Sequence, residues 1–302
     1  MKQFYLAEIV TKDKLIHQGI FYKPTRPSFV PPGGTSAGKA ILYVHGLTST
    51  FYGSVTLFNE IAGACEKKGF GFASFNNRGH DMITGIRKVN SDSPKGYDHV
   101  MGGAGYERFE ECVYDIDAGI TFLVSQGFSE IIIAGHSTGA NKVCYYAGSK
   151  RDPRITGVIL AGPLSDRLGQ SLDKEKLGND LQSMQKLVDK GKGDKLILGY
   201  HFFPMTPPRF LSIFSPHSVE DVFDYGDKNP RLTSFSHITK PLLIIVGEKD
   251  ENLDRPVKAV LSVYKEHTTS SRFASAIIPN GLHSFNGKER ELVETIFNWV
   301  RL

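Results

Sequence analysis

The chain reads as an α/β protein with a mostly parallel central sheet, helices on both faces and an inserted cap. Two observations carry this reading. Short, continuous apolar runs at residues 40–44, 131–135, 155–161 and 241–247 recur between stretches with helical spacing. Strands buried on both faces look like this, and their alternation with helices implies a covered parallel sheet. The alternation then stops between residues 164 and 240 and resumes afterwards. That interruption places the core at 1–163 and 241–302 and a cap or lid at 164–240.

The elements follow in order. Residues 7–10, a Lys12-Asp13-Lys14 turn and residues 15–22 predict a β-hairpin. Four prolines and three glycines make 24–39 a loop. The run at 40–44 is a buried strand that ends at His45-Gly46-Leu47. A helix is expected over 55–68 and a strand over 70–75, running into Asn76-Asn77-Arg78-Gly79-His80. Residues 81–105 are expected to form a Gly-rich loop, with Gly96 to Tyr106 a candidate mobile lid, before a long amphipathic helix at 107–126. Next come a strand at 131–135, a helix at 139–148 and a strand at 155–161.

Within the interruption, Leu177, Leu181, Met184 and Val188 recur at helical spacing, which predicts an amphipathic helix. Prolines cluster at 204, 207, 208 and 216. The last part is a strand at 241–247, a helix near 255–267, a strand at 274–278 and a helix through Trp299.

The chain has 302 residues, 40% of them hydrophobic and 23% charged, with a net charge of +4. This composition excludes a disordered chain. The charge is too small and scattered for a nucleic-acid partner. No apolar run is long enough to span a membrane, and the N-terminus lacks a secretory pattern. Cys65, Cys112 and Cys144 are odd in number and far apart, which favours reduced thiols and a cytoplasmic location.

The strongest chemical signal is Gly135-His136-Ser137-Thr138-Gly139, set between a buried strand and a helix. A serine on such a turn is pushed out above the sheet, and its flanking positions must be small. Serine needs a base, and the base needs an orienting carboxylate. Asp250 follows the strand at 241–247, and His283 follows the final strand in Pro279-Asn280-Gly281-Leu282-His283. Glu248 and Glu251 compete with Asp250 as the acid; His237 and His267 are weaker candidates for the base. A base at His283 must be neutral, so activity should rise with pH through its titration. The backbone amides of Thr138 and Leu47 are the expected oxyanion donors.

Phe203, Phe202 and Phe214 lie in an aromatic stretch of the insertion and are candidates for lining an acyl pocket, or for simply seating the cap. Arg78 is expected to brace loops. No cluster has metal-ligand spacing, and no glycine-rich nucleotide motif follows a strand, so neither metal nor cofactor is expected.

At these residues the chain resembles the α/β-hydrolase superfamily from about residue 40 to 302. The likeness rests on His45-Gly46, Asn77-Arg78-Gly79-His80, the turn at 135–139, Gly247-Glu248-Lys249-Asp250 and Gly281-Leu282-His283. It is similar to serine carboxylesterases and to siderophore-ester hydrolases with a long central insertion. The resemblance implies a small-molecule ester substrate and no cofactor. It departs from the pattern at one point: cap-bearing members usually carry Asp before Arg-Gly-His, where this chain has Asn76-Asn77. A serine at the turn disfavours epoxide hydrolysis and dehalogenation, which use an Asp there. Thioester, amide or carbon–carbon bond hydrolysis by the same triad stays open, as does a non-catalytic ligand-binding role.

Overall fold

The computed structural model describes residues 2–25, 38–168 and 173–300. The predicted loop at 24–39 falls largely outside them. The chain opens with the antiparallel pair β1 (Tyr5–Val10) and β2 (Leu15–Tyr22). Next come β3 (Gly38–Val44), α1 (Val55–Lys68), β4 (Gly71–Phe75), β5 (Thr84–Val89) and β6 (Tyr97–Gly102). A 3₁₀ turn at Phe109–Glu111 leads into α2 (Cys112–Ser125), followed by β7 (Phe128–His136), α3 (Thr138–Lys150) and β8 (Ile155–Ala161). The segment between β8 and the next strand carries α4 (Lys174–Asp189), α5 (Pro207–Phe214) and the short α6 (Thr233–Ser236). The chain ends with β9 (Leu242–Gly247), α7 (Val257–His267), β10 (Phe273–Ile278) and α8 (Glu289–Val300).

One sheet runs in the order β10-β9-β8-β7-β3-β4-β2-β5-β6, with β1 paired to β2. The stretch from β10 to β4 is parallel throughout; β2, β5 and β6 extend it antiparallel. Consecutive side chains of a strand point to opposite faces, and the continuous apolar runs serve both. In β3, Ala40, Leu42 and Val44 join one core with Ile116 and Ile120 of α2 and Val143 of α3. Ile41 and Tyr43 join the other, against Phe58 and Ile61 of α1 and Ile296 and Trp299 of α8. Cys65, Cys112 and Cys144 are buried free thiols within these cores.

The expected Gly-rich loop at 81–105 is corrected to a β-hairpin, β5 with β6. Both strands are largely solvent-facing and carry Arg87, Lys88, Asp98 and His99, which hides the apolar signal. The glycines serve close packing. A Cβ on Gly102 would lie 2.3 Å from Ile86 Cδ1, and one on Gly105 would lie 2.4 Å from the backbone oxygen of Pro204. The helix expected at 107–126 begins only at Cys112, after the 3₁₀ turn.

The segment between β8 and β9 divides by packing. Met184 of α4 and Phe210, Ile213 and Phe214 of α5 form a third cluster with Phe203, Met205 and Ala104. Val222, Phe223, Tyr225, Leu232 and Phe235 instead join the main core beside α3 and α7.

Candidate active site

The turn between β7 and α3 is strained in the manner its residues predict. Ser137 has φ 57° and ψ −131°, a backbone conformation side chains rarely adopt. A Cβ on Gly135 would sit 2.2 Å from the Gly139 oxygen, and one on Gly139 would sit 2.2 Å from the Val44 oxygen. Only glycine lets the turn close this tightly against β3.

Ser137 Oγ lies 2.9 Å from His283 Nε2. His283 Nδ1 lies 3.0 and 3.1 Å from the two carboxylate oxygens of Asp250. The three residues come from the ends of β7, β9 and β10, which neighbour one another through β8 in the parallel sheet. The competing acids have other tasks. Glu251 accepts from the His283 backbone N–H at 2.9 Å, and Glu248 accepts from that of Asn280 at 2.8 Å. The weaker base candidates lie elsewhere: His267 bonds the Val263 carbonyl, and His237 is exposed.

His136, the variable position of the turn, was not singled out by its sequence. Its Nε2–H donates to the His283 carbonyl at 2.8 Å, and its ring lies 5.2 Å from the His283 ring. Burial and the neighbouring His283 push its pKa down to about 4, so it stays neutral. It holds the loop that carries His283. A histidine next to the serine is the only sequence signal that could have marked it.

The chain after β3 passes close to Ser137: a Cβ on Gly46 would lie 3.0 Å from Ser137 Cβ. Leu47 follows at once, and Thr138 opens α3, where amides lack helical partners. Among the described residues, neither amide donates to a protein acceptor. Leu47 also packs on the apolar cluster of the insertion. Within that cluster Phe203 and Phe214 are buried, whereas Phe202 is 65% exposed and rests on the His201 ring.

A buried polar scaffold lies behind the turn. Asn77 donates through its amide N–H to His45 Nε2 at 3.1 Å, and its Oδ1 accepts from Lys142 Nζ at 3.0 Å. Lys142 also pairs with Glu107 at 2.5 Å. Arg209 of α5 pairs with Glu107 at 3.2 Å and with Glu220, and its Nε donates to the Ala104 carbonyl. Burial, reinforced by Lys142, holds His45 down to about 3. Arg78 braces the β1–β2 turn and α2 through Asp13, Glu111 and Asp115. Burial would raise the Asp115 carboxyl, but His17 and Arg78 outweigh it and hold it below the usual range.

Among the described residues, His217, Asp224 and Asp227 have potential metal-ligating atoms within 4.8 Å of one another. Asp224 already accepts from the amides of Arg231 and Leu232, and Asp227 pairs with Arg167.

Comparison with known proteins places this geometry in a family. A profile described as a protein of unknown function, DUF1749, matches residues 97–301, which include Ser137, Asp250 and His283. The chain belongs to that family. No curated protein matches it. Among solved structures, it is similar to a siderophore hydrolase, EstB, from Aspergillus fumigatus. The TM-score is 0.65 and the identity 17%, over 99% of this chain and 98% of that one. Est1E from Butyrivibrio proteoclasticus, solved with ferulic acid, gives 0.64 at 16% identity, over 97% and 98%. A thermostable carboxyl esterase from Bacillus coagulans gives 0.63 at 14% identity, over 100% and 99%. The DUF1749 chain therefore has the α/β-hydrolase fold. Among its described residues, no helix is long and apolar enough to cross a membrane.

Proposed function

We propose that the chain is a serine hydrolase that cleaves a carboxylic ester through an acyl-enzyme. The observation that carries this reading is the continuous contact from Ser137 Oγ through His283 to Asp250, built on a strained turn. In it, Ser137 Oγ attacks the ester carbonyl while His283 Nε2 takes the hydroxyl proton. Asp250 accepts from Nδ1–H, which fixes the tautomer and stabilises the imidazolium as it forms. The amides of Leu47 and Thr138 meet the developing oxyanion, a contribution of about 2.7–4 kcal/mol per donor in comparable enzymes. His283 then returns the proton to the leaving alcohol. A water then attacks the acyl carbon while His283 takes its proton, and His283 returns that proton to Ser137 Oγ as the acid is released. No metal or cofactor takes part in this scheme.

The structurally similar proteins support the ester as substrate bond, since two bear esterase names and a third is a siderophore hydrolase. In this reading α4 and α5 form a cap beside the oxyanion loop, and Phe203 and Phe214 stiffen it. The three buried thiols fit a reducing cytoplasm.

Labelling with a fluorophosphonate, followed by peptide mapping, tests the reading. Modification at Ser137 and turnover of p-nitrophenyl esters that vanishes in Ser137→Ala are expected. Turnover that survives the substitution would overturn it. Labelling without ester turnover would move the bond cleaved to a thioester, amide or carbon–carbon bond.

A further inference from the structure

Three aspartates recur at every third position where the insertion returns to the core: Asp221, Asp224 and Asp227. Among the described residues, one cation serves them. Arg167, in the 3₁₀ turn Asp166–Leu168 after β8, donates through Nε to Asp221 Oδ2 at 3.0 Å. Its Nη2 donates to both carboxylate oxygens of Asp227 at 2.9 Å. Nε and Nη2 form one edge of the guanidinium, so the two carboxylates lie side by side along it. Asp224 is buried and accepts from the backbone amides of Arg231 at 2.8 Å and Leu232 at 2.9 Å. Arg255 reaches the Tyr225 carbonyl nearby but is paired with Asp254. Three carboxylates thus share one guanidinium, which leaves two negative charges without a partner.

Two further observations point to what balances them. His217 is exposed and brings an imidazole to the same place: its ligating nitrogen and the oxygens of Asp224 and Asp227 lie within 4.8 Å of one another. Asp221 has a side chain only 1% exposed, and its Oδ1 is buried with no hydrogen-bond donor among the described residues. The other oxygen of Asp221 is held by Arg167 and by the His217 amide at 2.9 Å, which fixes this carboxylate beside the cluster. A buried acceptor that the protein leaves without a donor calls for one from outside the chain.

We propose that His217, Asp224 and Asp227 bind a divalent transition-metal ion, Zn²⁺ above all, with a metal-bound water donating to Asp221 Oδ1. The ion supplies the two positive charges that the cluster lacks. One imidazole and two carboxylates suit Zn²⁺ or Mn²⁺, whereas Ca²⁺ and Mg²⁺ favour oxygen ligands alone and more of them. The hydrogen bonds already present do not compete with the ion. An ionised carboxylate has about four acceptor sites, and ligating carboxylates are normally oriented by such donors. Metal–ligand lengths of about 2.0–2.2 Å set neighbouring ligand atoms about 3.3–3.6 Å apart, so the exposed His217 ring has to swing inward by about 1 Å. The spacing His-x₆-Asp-x₂-Asp matches no compact metal motif, which is why the sequence carries no metal signal here.

The place of the ion gives it a structural role. His217 follows α5 of the insertion, whereas Asp224 and Asp227 belong to a segment whose Val222, Phe223 and Tyr225 lie in the main core. A Cβ on Gly226 would lie 2.5 Å from Leu168 Cδ1, so the segment that enters the insertion and the one that leaves it touch here. An ion at this seam fastens α5 to the core and closes the insertion at its base. It takes no ligand from Ser137, Asp250 or His283, so the proposal stands apart from the serine-hydrolase reading.

Calorimetric titration of the full chain with Zn²⁺, after treatment with a chelator, tests the site. One equivalent should bind, with Mn²⁺ weaker at the same site, as its place in the affinity order requires. His217→Ala should weaken Zn²⁺ binding by at least about tenfold, and Asp227→Asn should do the same. Asp227→Asn also loosens Arg167 and can unsettle the fold; His217 is exposed, so His217→Ala keeps the test decisive. Zn²⁺ should raise the melting temperature of the wild type by several degrees and leave that of His217→Ala unchanged. Limited proteolysis reads the seam itself: Zn²⁺ should slow cleavage between β8 and β9 in the wild type alone. No saturable Zn²⁺ binding, or binding as tight in His217→Ala as in the wild type, overturns the site. A preference for Ca²⁺ or Mg²⁺ over Zn²⁺ removes the imidazole as a ligand and overturns it too. Zn²⁺ that binds at the site without slowing cleavage overturns the fastening role.

Discussion

Lys142 Nζ, fully buried on α3, donates to Asn77 Oδ1 at 3.0 Å and so joins the helix after Ser137 to the loop that follows β4. The same Asn77 bonds His45, at the start of the proposed oxyanion loop. This accounts for the departure at Asn77. With Glu107 already paired to Lys142, an Asp at 77 would add a second buried carboxylate to one ammonium, whereas the neutral amide bonds it without extra charge.

Removing that ammonium should be costly. Lys142→Met leaves Glu107 with Arg209 alone and Asn77 Oδ1 with only the Gly79 amide as donor. A loss of about 3–5 kcal/mol is expected, because a broken buried pair leaves an uncompensated charge. Urea unfolding measures it. The double variant with Glu107→Gln should lose less than the sum of the single losses; strict additivity would contradict a coupled network.

The three acids after β9 should separate sharply in kinetics. Asp250→Asn is expected to lower kcat by about 10⁴-fold, since the imidazole loses its orienting acceptor. Glu251→Gln keeps an acceptor for the His283 amide and should cost far less. Ester turnover of both variants decides; equal losses would mean that Asp250 is not the orienting acid.

Much of this was legible in the sequence, for identifiable reasons. Ser137 and Asp250 follow apolar runs buried on both faces, and His283 follows the half-buried edge strand β10, so strand ends located them. The β5–β6 hairpin was not legible, because its strands lie at the sheet edge and carry charges. Its glycines resemble loop residues, yet Gly102 and Gly105 are there for close contacts with Ile86 and Pro204.

Two glycines in helices should respond oppositely to alanine. A Cβ on Gly139 would meet the Val44 oxygen at 2.2 Å and the His45 oxygen at 2.7 Å, whereas Gly63 in α1 has open space around it. Gly139→Ala should destabilise by about 3 kcal/mol or more through forced backbone movement and should abolish labelling at Ser137. Gly63→Ala should stabilise by about 0.5–1 kcal/mol, the ordinary helix preference. Thermal melts of the two variants check the contrast. A tolerated Gly139→Ala would mean that the turn does not need to sit this close to β3.

Asp166 should cost stability where it is charged. Its carboxyl is raised from the usual 3.8 to about 7, with burial the main cause and Glu220 the next. A raised acid binds its proton more tightly in the folded chain than in the unfolded one. Its favourable contribution is therefore complete below about pH 3.8 and is lost progressively as pH rises through 7. Asp166→Asn mimics the protonated form and removes that dependence. The variant should melt close to wild type near pH 4 and several degrees higher at pH 8. Melting curves at the two pH values measure the difference between the proteins, which cancels the titration of every other group. An equal gap at both pH values would mean that the Asp166 carboxyl is not raised.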